Sequence, residues 1–350
     1  MSAALLRWGA AFLLALLAAG LAPRAEAGVG VVQIAGATQG GPLTVFYPTV
    51  EEDRPVRRGP FGLLLAENAV PVRGNGRLVV VSHGSGGSAW PHSDLARTLV
   101  AAGFVVAAPL HHRDNARDPS RPGPDSWKRR PAELSRAIDA LAADARFAPL
   151  LALDRVGIYG MSAGGHAALT MAGGRWSPAL FRRHCEAHID QDFPACVGLA
   201  TRLQGNAFDG LRRAAALGVL RVAFRDATWQ THADPRVAAV VAAVPVAADF
   251  DLASLAQPAV PLGLVTAGRD RWLAPRFHAG AVLAACQPRC THVAHLPQGG
   301  HGALLSPAPP ADALPPIAAD LLGDPPGFDR ARLPEVDQRI AAFFRAHLLP

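Results

Sequence analysis

Val156-Gly157-Ile158-Tyr159-Gly160-Met161-Ser162-Ala163-Gly164-Gly165 is the run from which the architecture can be read. Its first part, with Arg155 before it, is short and apolar, as a buried strand is. Beyond Gly165 the residues suit a helix to about Met171. Between them stands Gly160-x-Ser162-x-Gly164. A strand that turns sharply into a helix crowds its neighbours, and glycine two residues either side of the apex relieves the crowding. The apical serine then holds its Oγ clear of the sheet, above a helix N-terminus that favours developing negative charge. Five residues alone are weak evidence; the strand before and the helix after give the pattern its meaning.

The same rhythm extends on both sides. Leu78–Val81 reads as a strand, 82–87 as a flexible turn, Ser93 to Ala102 as a helix and Phe104–Pro109 as a second strand. Strand, loop, helix, strand implies parallel pairing. A polar loop from His111 to Arg130 follows, and Pro131 suits the first turn of a helix whose Leu134, Ile138 and Leu141 share a face. Later strands are expected at Val237–Val246, Pro261–Ala267 and Thr291–Leu296, with a closing amphipathic helix at Pro334–Leu349. Val29–Pro48 should add antiparallel edge strands. Residues 176–236 break the rhythm and read as a mostly helical insertion, either a cap beside the site or a peripheral decoration with no role toward substrate. The expected class is α/β, a mostly parallel sheet flanked by helices.

Serine is a poor nucleophile unless a base takes its proton, and the base needs an orienting acid. Asp270 follows one strand, in Gly268-Arg269-Asp270, and His301 follows the next, in Gly299-Gly300-His301-Gly302. Both sit just past strand C-terminal ends, where open parallel sheets place their sites. Ser162, Asp270 and His301 are therefore the expected catalytic groups. Asp249 and Asp251 are alternative acids; His292 and His295 are alternative bases. The loop His83-Gly84-Ser85-Gly86-Gly87 suits an oxyanion hole, with the Ser85 and Ala163 N–H groups as donors. His83 is expected to brace that loop. No lysine stands where a phosphate-cradling loop needs one. His166 should be buried on the elbow helix. His111 and His112 could touch substrate, or ligate a metal with Asp114; without further ligands at clear spacing, neither metal nor cofactor is expected.

Composition narrows the context. The net charge of +6 is carried by arginine, Lys128 being the only lysine. No basic stripe interleaved with aromatics appears, which argues against nucleic acid, and Trp127-Lys128-Arg129-Arg130 reads as a solvated surface. Residues 1–27 read as an export signal, with Arg7, an apolar run Ala10 to Ala19 and a small-x-small site at Ala25-Glu26-Ala27. That run is too short for a stable membrane span. The mature chain, 28–350, is expected in the periplasm or the medium. Four cysteines in an exported chain point to disulfides, and short-loop closure favours Cys185–Cys196 and Cys286–Cys290.

SHGSGG (82–87), GMSAGG (160–165), AGRD (267–270) and GGHG (299–302), with Ser126-Trp127-Lys128-Arg129-Arg130-Pro131, resemble dienelactone-hydrolase-like and platelet-activating-factor-acetylhydrolase-like serine esterases. The likeness covers about residues 40–305. It implies an α/β-hydrolase fold with an eight-stranded core sheet, and hydrolysis of small-molecule esters or lactones. Dienelactone hydrolases carry a nucleophilic cysteine where this chain has Ser162, a departure that weakens dienelactone itself as substrate. An amidase or peptidase on the same fold, and a non-catalytic binding protein, are the alternatives.

Overall fold

The computed structural model describes residues 28–350, so the expected export signal lies outside the described residues. Four strands come first: β1 (Gly28–Thr38), β2 (Gly41–Thr49), β3 (Arg54–Arg58) and β4 (Phe61–Glu67). Strands and helices then alternate through β5 (Leu78–Ser82), α1 (Ser93–Ala101), β6 (Val105–Pro109), α2 (Pro124–Ala143), β7 (Val156–Met161) and α3 (Ala163–Met171). Helices α4 (Pro178–His188), α5 (Phe193–Val197) and α6 (Asp209–Ala223) form the insertion. The chain ends through β8 (Val237–Ala243), α7 (Leu252–Leu255), β9 (Leu262–Ala267), α8 (Ala279–Cys286), β10 (Thr291–Leu296), α9 (Pro316–Leu322) and α10 (Leu333–Leu348).

All ten strands join one sheet, ordered β10-β9-β8-β7-β5-β6-β2-β1-β4-β3. From β6 to β10 every neighbouring pair is parallel, while β2 runs antiparallel to both β6 and β1. Successive side chains of a strand face opposite layers. Leu78 and Val80 accordingly pack with Leu134 and Ile138 of α2 and with Ala167 of α3. Val79 and Val81 pack with Leu95 and Leu99 of α1 and with Ile340 and Phe344 of α10. Gly157 in β7 lets Phe344 lie against the strand; a Cβ there would stand 2.8 Å from its ring.

Three expectations need correction. The sheet has ten strands rather than eight, because β3 and β4 make a hairpin around Gly59. Arg54-Pro55-Val56-Arg57-Arg58 looks like loop by composition, yet Phe61, Leu63 and Leu65 are buried on alternate positions and supply the face that recruits it. Helix α2 begins at Pro124, not Pro131, which lies inside it. Pro124 takes the first turn, where a missing N–H costs nothing. That shift carries Trp127 and Arg130 onto a helix, and both are buried rather than solvated. Both disulfides pair as expected, Cys185–Cys196 and Cys286–Cys290.

Candidate active site

Ser162 stands at the apex between β7 and α3 with φ 57° and ψ −119°, a conformation that side chains with a Cβ avoid. The surroundings enforce it. Its N–H donates to Ala243 O (3.0 Å), and its carbonyl accepts from His166 N (3.0 Å) and Val246 N (3.2 Å). The flanking glycines are sterically required: a Cβ on Gly160 would meet Gly164 O at 2.0 Å, and one on Gly164 would meet Ser82 O at 1.9 Å.

Two loops bring the other groups. Past β9, Gly268 N donates to Leu296 O (2.8 Å) and Arg269 N to Gly299 O (2.9 Å), which stitches the turn holding Asp270 to the turn holding His301. Asp270 Oδ1 accepts from Trp272 N (2.9 Å) and Leu273 N (2.8 Å). Its Oδ2 lies 2.7 Å from His301 Nδ1, and His301 Nε2 lies 2.9 Å from Ser162 Oγ. With the carboxylate as acceptor, Nδ1 carries the ring proton and Nε2 accepts from the serine hydroxyl. Asp270 and His301 are both 4% exposed, so water competes little for these bonds. A hydroxyl, an imidazole and a carboxylate in this series can move a proton off the serine and hold the resulting imidazolium.

The alternatives have other partners. Asp249 faces His166 Nε2 (3.0 Å) beneath α3, and His166 is fully buried, stacked on Trp127. Asp251 caps α7 and pairs with Arg175. His292 and His295 share the Thr266 hydroxyl, each at 2.8 Å.

The loop after β5 runs beside the serine: a Cβ on Gly84 would stand 3.4 Å from Ser162 Cβ. Ala163 is the first residue of α3, where a helix leaves its N–H groups without intrahelical partners. His83 braces the loop, its Nδ1 2.7 Å from Gly84 O and its Nε2 accepting from His111 N at 3.3 Å. Burial, then the neighbouring His111 and Arg130, hold its pKa well below the usual histidine range, so the ring is neutral. His111 bonds Ser82 Oγ through Nε2 (2.8 Å) and Glu133 Oε2 through Nδ1 (2.5 Å). Burial, then Arg130, lowers its pKa likewise. The suggested metal set is thereby dissolved. Asp114 pairs with Arg130 at 2.8 Å, and His112 Nδ1 faces Gln39 O.

A second cluster, His184, Asp192 and His278, gathers three ligand atoms within 4.8 Å. His278 Nδ1, however, accepts from Ala247 N at 3.0 Å. The proton therefore sits on Nε2, which donates to Asp192 Oδ2 at 3.0 Å and offers no lone pair to a metal. His184 Nε2 meets the same oxygen at 2.8 Å. Burial raises the Asp192 pKa, but the two histidines outweigh it and leave it at about 2. The trio ties α4 to the turn before α8.

Ser162 and His301 open into a cavity of about 470 Å³. Its walls are mainly apolar, with Phe61, Trp90, Met161, Leu305, Leu314 and Leu322 among them. The insertion is helical as expected, but none of its residues lines this cavity. Phe181 and Phe224 pack on Trp127 instead, which stacks on His166 of the elbow helix. Part of the cavity wall comes from 309–322, past His301, a segment with no chemical motif to advertise it.

No family model matches the chain. No curated protein matches it either. Among solved structures, a ferulic acid esterase from Streptomyces cinnamoneus matches with a TM-score of 0.55. The match covers 93% of this chain and 91% of that one at 18% identity. At that identity the likeness shows the fold alone, an α/β-hydrolase fold.

Proposed function

We propose that the protein is a serine hydrolase of carboxylic esters. The observation that carries the reading is the continuous hydrogen-bonded series from Asp270 through His301 to a strained, cavity-facing Ser162. His301 Nε2 takes the Ser162 proton as Oγ attacks the ester carbonyl. Asp270 orients the ring and stabilises its protonated form. The Ser85 and Ala163 N–H groups donate hydrogen bonds to the oxyanion. The imidazolium returns its proton to the departing alcohol, and the acyl group stays on Oγ. Water, deprotonated by His301, then releases the acid and regenerates the serine.

The fold shared with a ferulic acid esterase supports ester chemistry. The apolar cavity favours a bulky apolar or aromatic acyl group over a very short chain. Two disulfides fit an oxidising compartment, and we place the mature chain, 28–350, outside the cytoplasm. A fluorophosphonate should label Ser162, and a panel of p-nitrophenyl esters should be cleaved with a preference for medium or aromatic acyl groups. A folded protein that neither takes the label nor cleaves any ester would overturn the reading.

A further inference from the structure

Arg130 and Asp114 form an ion pair in which both side chains are fully buried. Burying two charges is expensive, and apolar side chains of similar volume are often as stable or more so. Such a pair calls for something that only charged donors and acceptors can do, and its remaining bonds say what. The Arg130 guanidinium donates to His83 O as well as to Asp114, with Gly84 O within 3.4 Å. Asp114 Oδ1 accepts from the Ser85 hydroxyl (2.5 Å) and from Gly86 N (3.0 Å). Beyond the pair itself, and apart from Arg130 Nε donating to Ser126 Oγ (2.9 Å), these contacts end on the loop 83–86.

A trans peptide is planar, with C=O and N–H pointing in opposite directions. Fixing Gly84 O therefore fixes the Ser85 N–H. Three donors converge on that oxygen: His83 Nδ1 at 2.7 Å, Gly87 N at 3.1 Å and Arg130 at 3.4 Å. The Ser85 N–H itself meets no acceptor among the described residues. We infer that the Arg130–Asp114 pair is a positioning device for the oxyanion hole, holding the 84–85 peptide in the one orientation that presents the Ser85 N–H to the reacting carbonyl. The inference rests on the serine-hydrolase reading. Neither residue touches substrate; both act through the loop.

Arg130→Lys keeps a positive charge against Asp114 but cannot span two carbonyls and a carboxylate. Asp114→Asn keeps an acceptor and removes the charge. Each should lower kcat by about 10- to 100-fold, the scale of a small misplacement at a preorganised site, with KM within about 3-fold. Phenylboronic acid becomes a tetrahedral anion on an active serine, so its inhibition constant should rise by the factor that kcat falls. A merely structural role would not couple the two. Should Arg130→Lys fail to fold, Ser85→Ala removes only the hydroxyl bond to Asp114 and should show a smaller parallel shift. Folded variants with kcat within about 2-fold of the parent, or with kcat lowered and boronate affinity unchanged, overturn the inference. A parent protein that takes the fluorophosphonate label while the variants stay indifferent defeats this inference alone. A parent that is neither labelled nor active defeats the hydrolase reading itself.

Discussion

At Ser162 a backbone conformation worth roughly 1–3 kcal/mol of strain is held by three hydrogen bonds and two glycines. Ser162→Ala keeps that backbone and removes only the hydroxyl, the proposed nucleophile. Turnover of p-nitrophenyl esters should fall by about 10⁴-fold or more with the melting temperature little changed. The two candidate acids make contrary predictions. Asp270→Asn leaves His301 with the wrong tautomer and should cost about 10⁴-fold in kcat. Asp249→Asn disturbs a buried pair under α3 and should lower stability while kcat of the folded fraction stays within about 3-fold. Equal losses of kcat in both would contradict the geometry. At this scale the sequence was a good guide to which hydroxyl, imidazole and carboxylate the fold brings together, because an elbow serine and its partners sit in short, chemically constrained motifs. It was a poor guide to Arg130, since nothing within Trp127-Lys128-Arg129-Arg130 tells which arginine faces inward until the helix phase is known.

Elements show the converse pattern. The parallel strands β5 to β10 are legible as apolar runs between turns, whereas β3 is not, because its pairing is dictated by β4 rather than by its own residues. The insertion shows what local reading misses: its helices are evident, but their docking depends on Phe181 and Phe224 meeting Trp127 across the fold. The Cys185–Cys196 bond closes a sequence separation of 11 within it, and Cys286–Cys290 one of 4. Loop-closure entropy gives the first about 3 kcal/mol and the second about 2 kcal/mol. Replacing Cys185 and Cys196 by alanine should lower stability by about that amount in urea titration. Because none of 176–236 lines the cavity, KM should stay within about 2-fold. The wall at 309–322 should behave oppositely. Leu322→Asn should raise KM for long-chain esters by about 10-fold and leave short-chain esters nearly unaffected, at little cost in stability.

Over the whole molecule, stability against pH should reflect buried ionisable groups of opposite sign. His92 is buried and its pKa is lowered to about 4; burial also pushes His83 and His111 well below the usual range. In the unfolded chain each would bind a proton near pH 6.5, so each contributes stability that is present above 6.5 and lost as the pH falls toward its folded value. Asp337 on α10 works the other way. Burial, with the charge of Asp94 adding, raises its carboxyl to about 7. Below pH 4 it is protonated folded or unfolded and costs nothing. Between about 4 and 7 the unfolded chain ionises it and the native state does not, so stability falls as the pH rises. Above 7 the full cost is present, roughly 4 kcal/mol for a shift of about three pH units. Between pH 4 and 6.5 the Asp337 and His92 contributions have opposite slopes and largely cancel. Asp337→Asn should therefore stabilise the protein by up to about 4 kcal/mol at pH 8 and by only about 1–2 kcal/mol at pH 5. It should also steepen the acid limb, because the histidines are then unopposed. Urea titrations of both proteins from pH 4 to 8 read this directly. A gain that is the same at every pH would mean that residue 337 is ionised in the native state throughout.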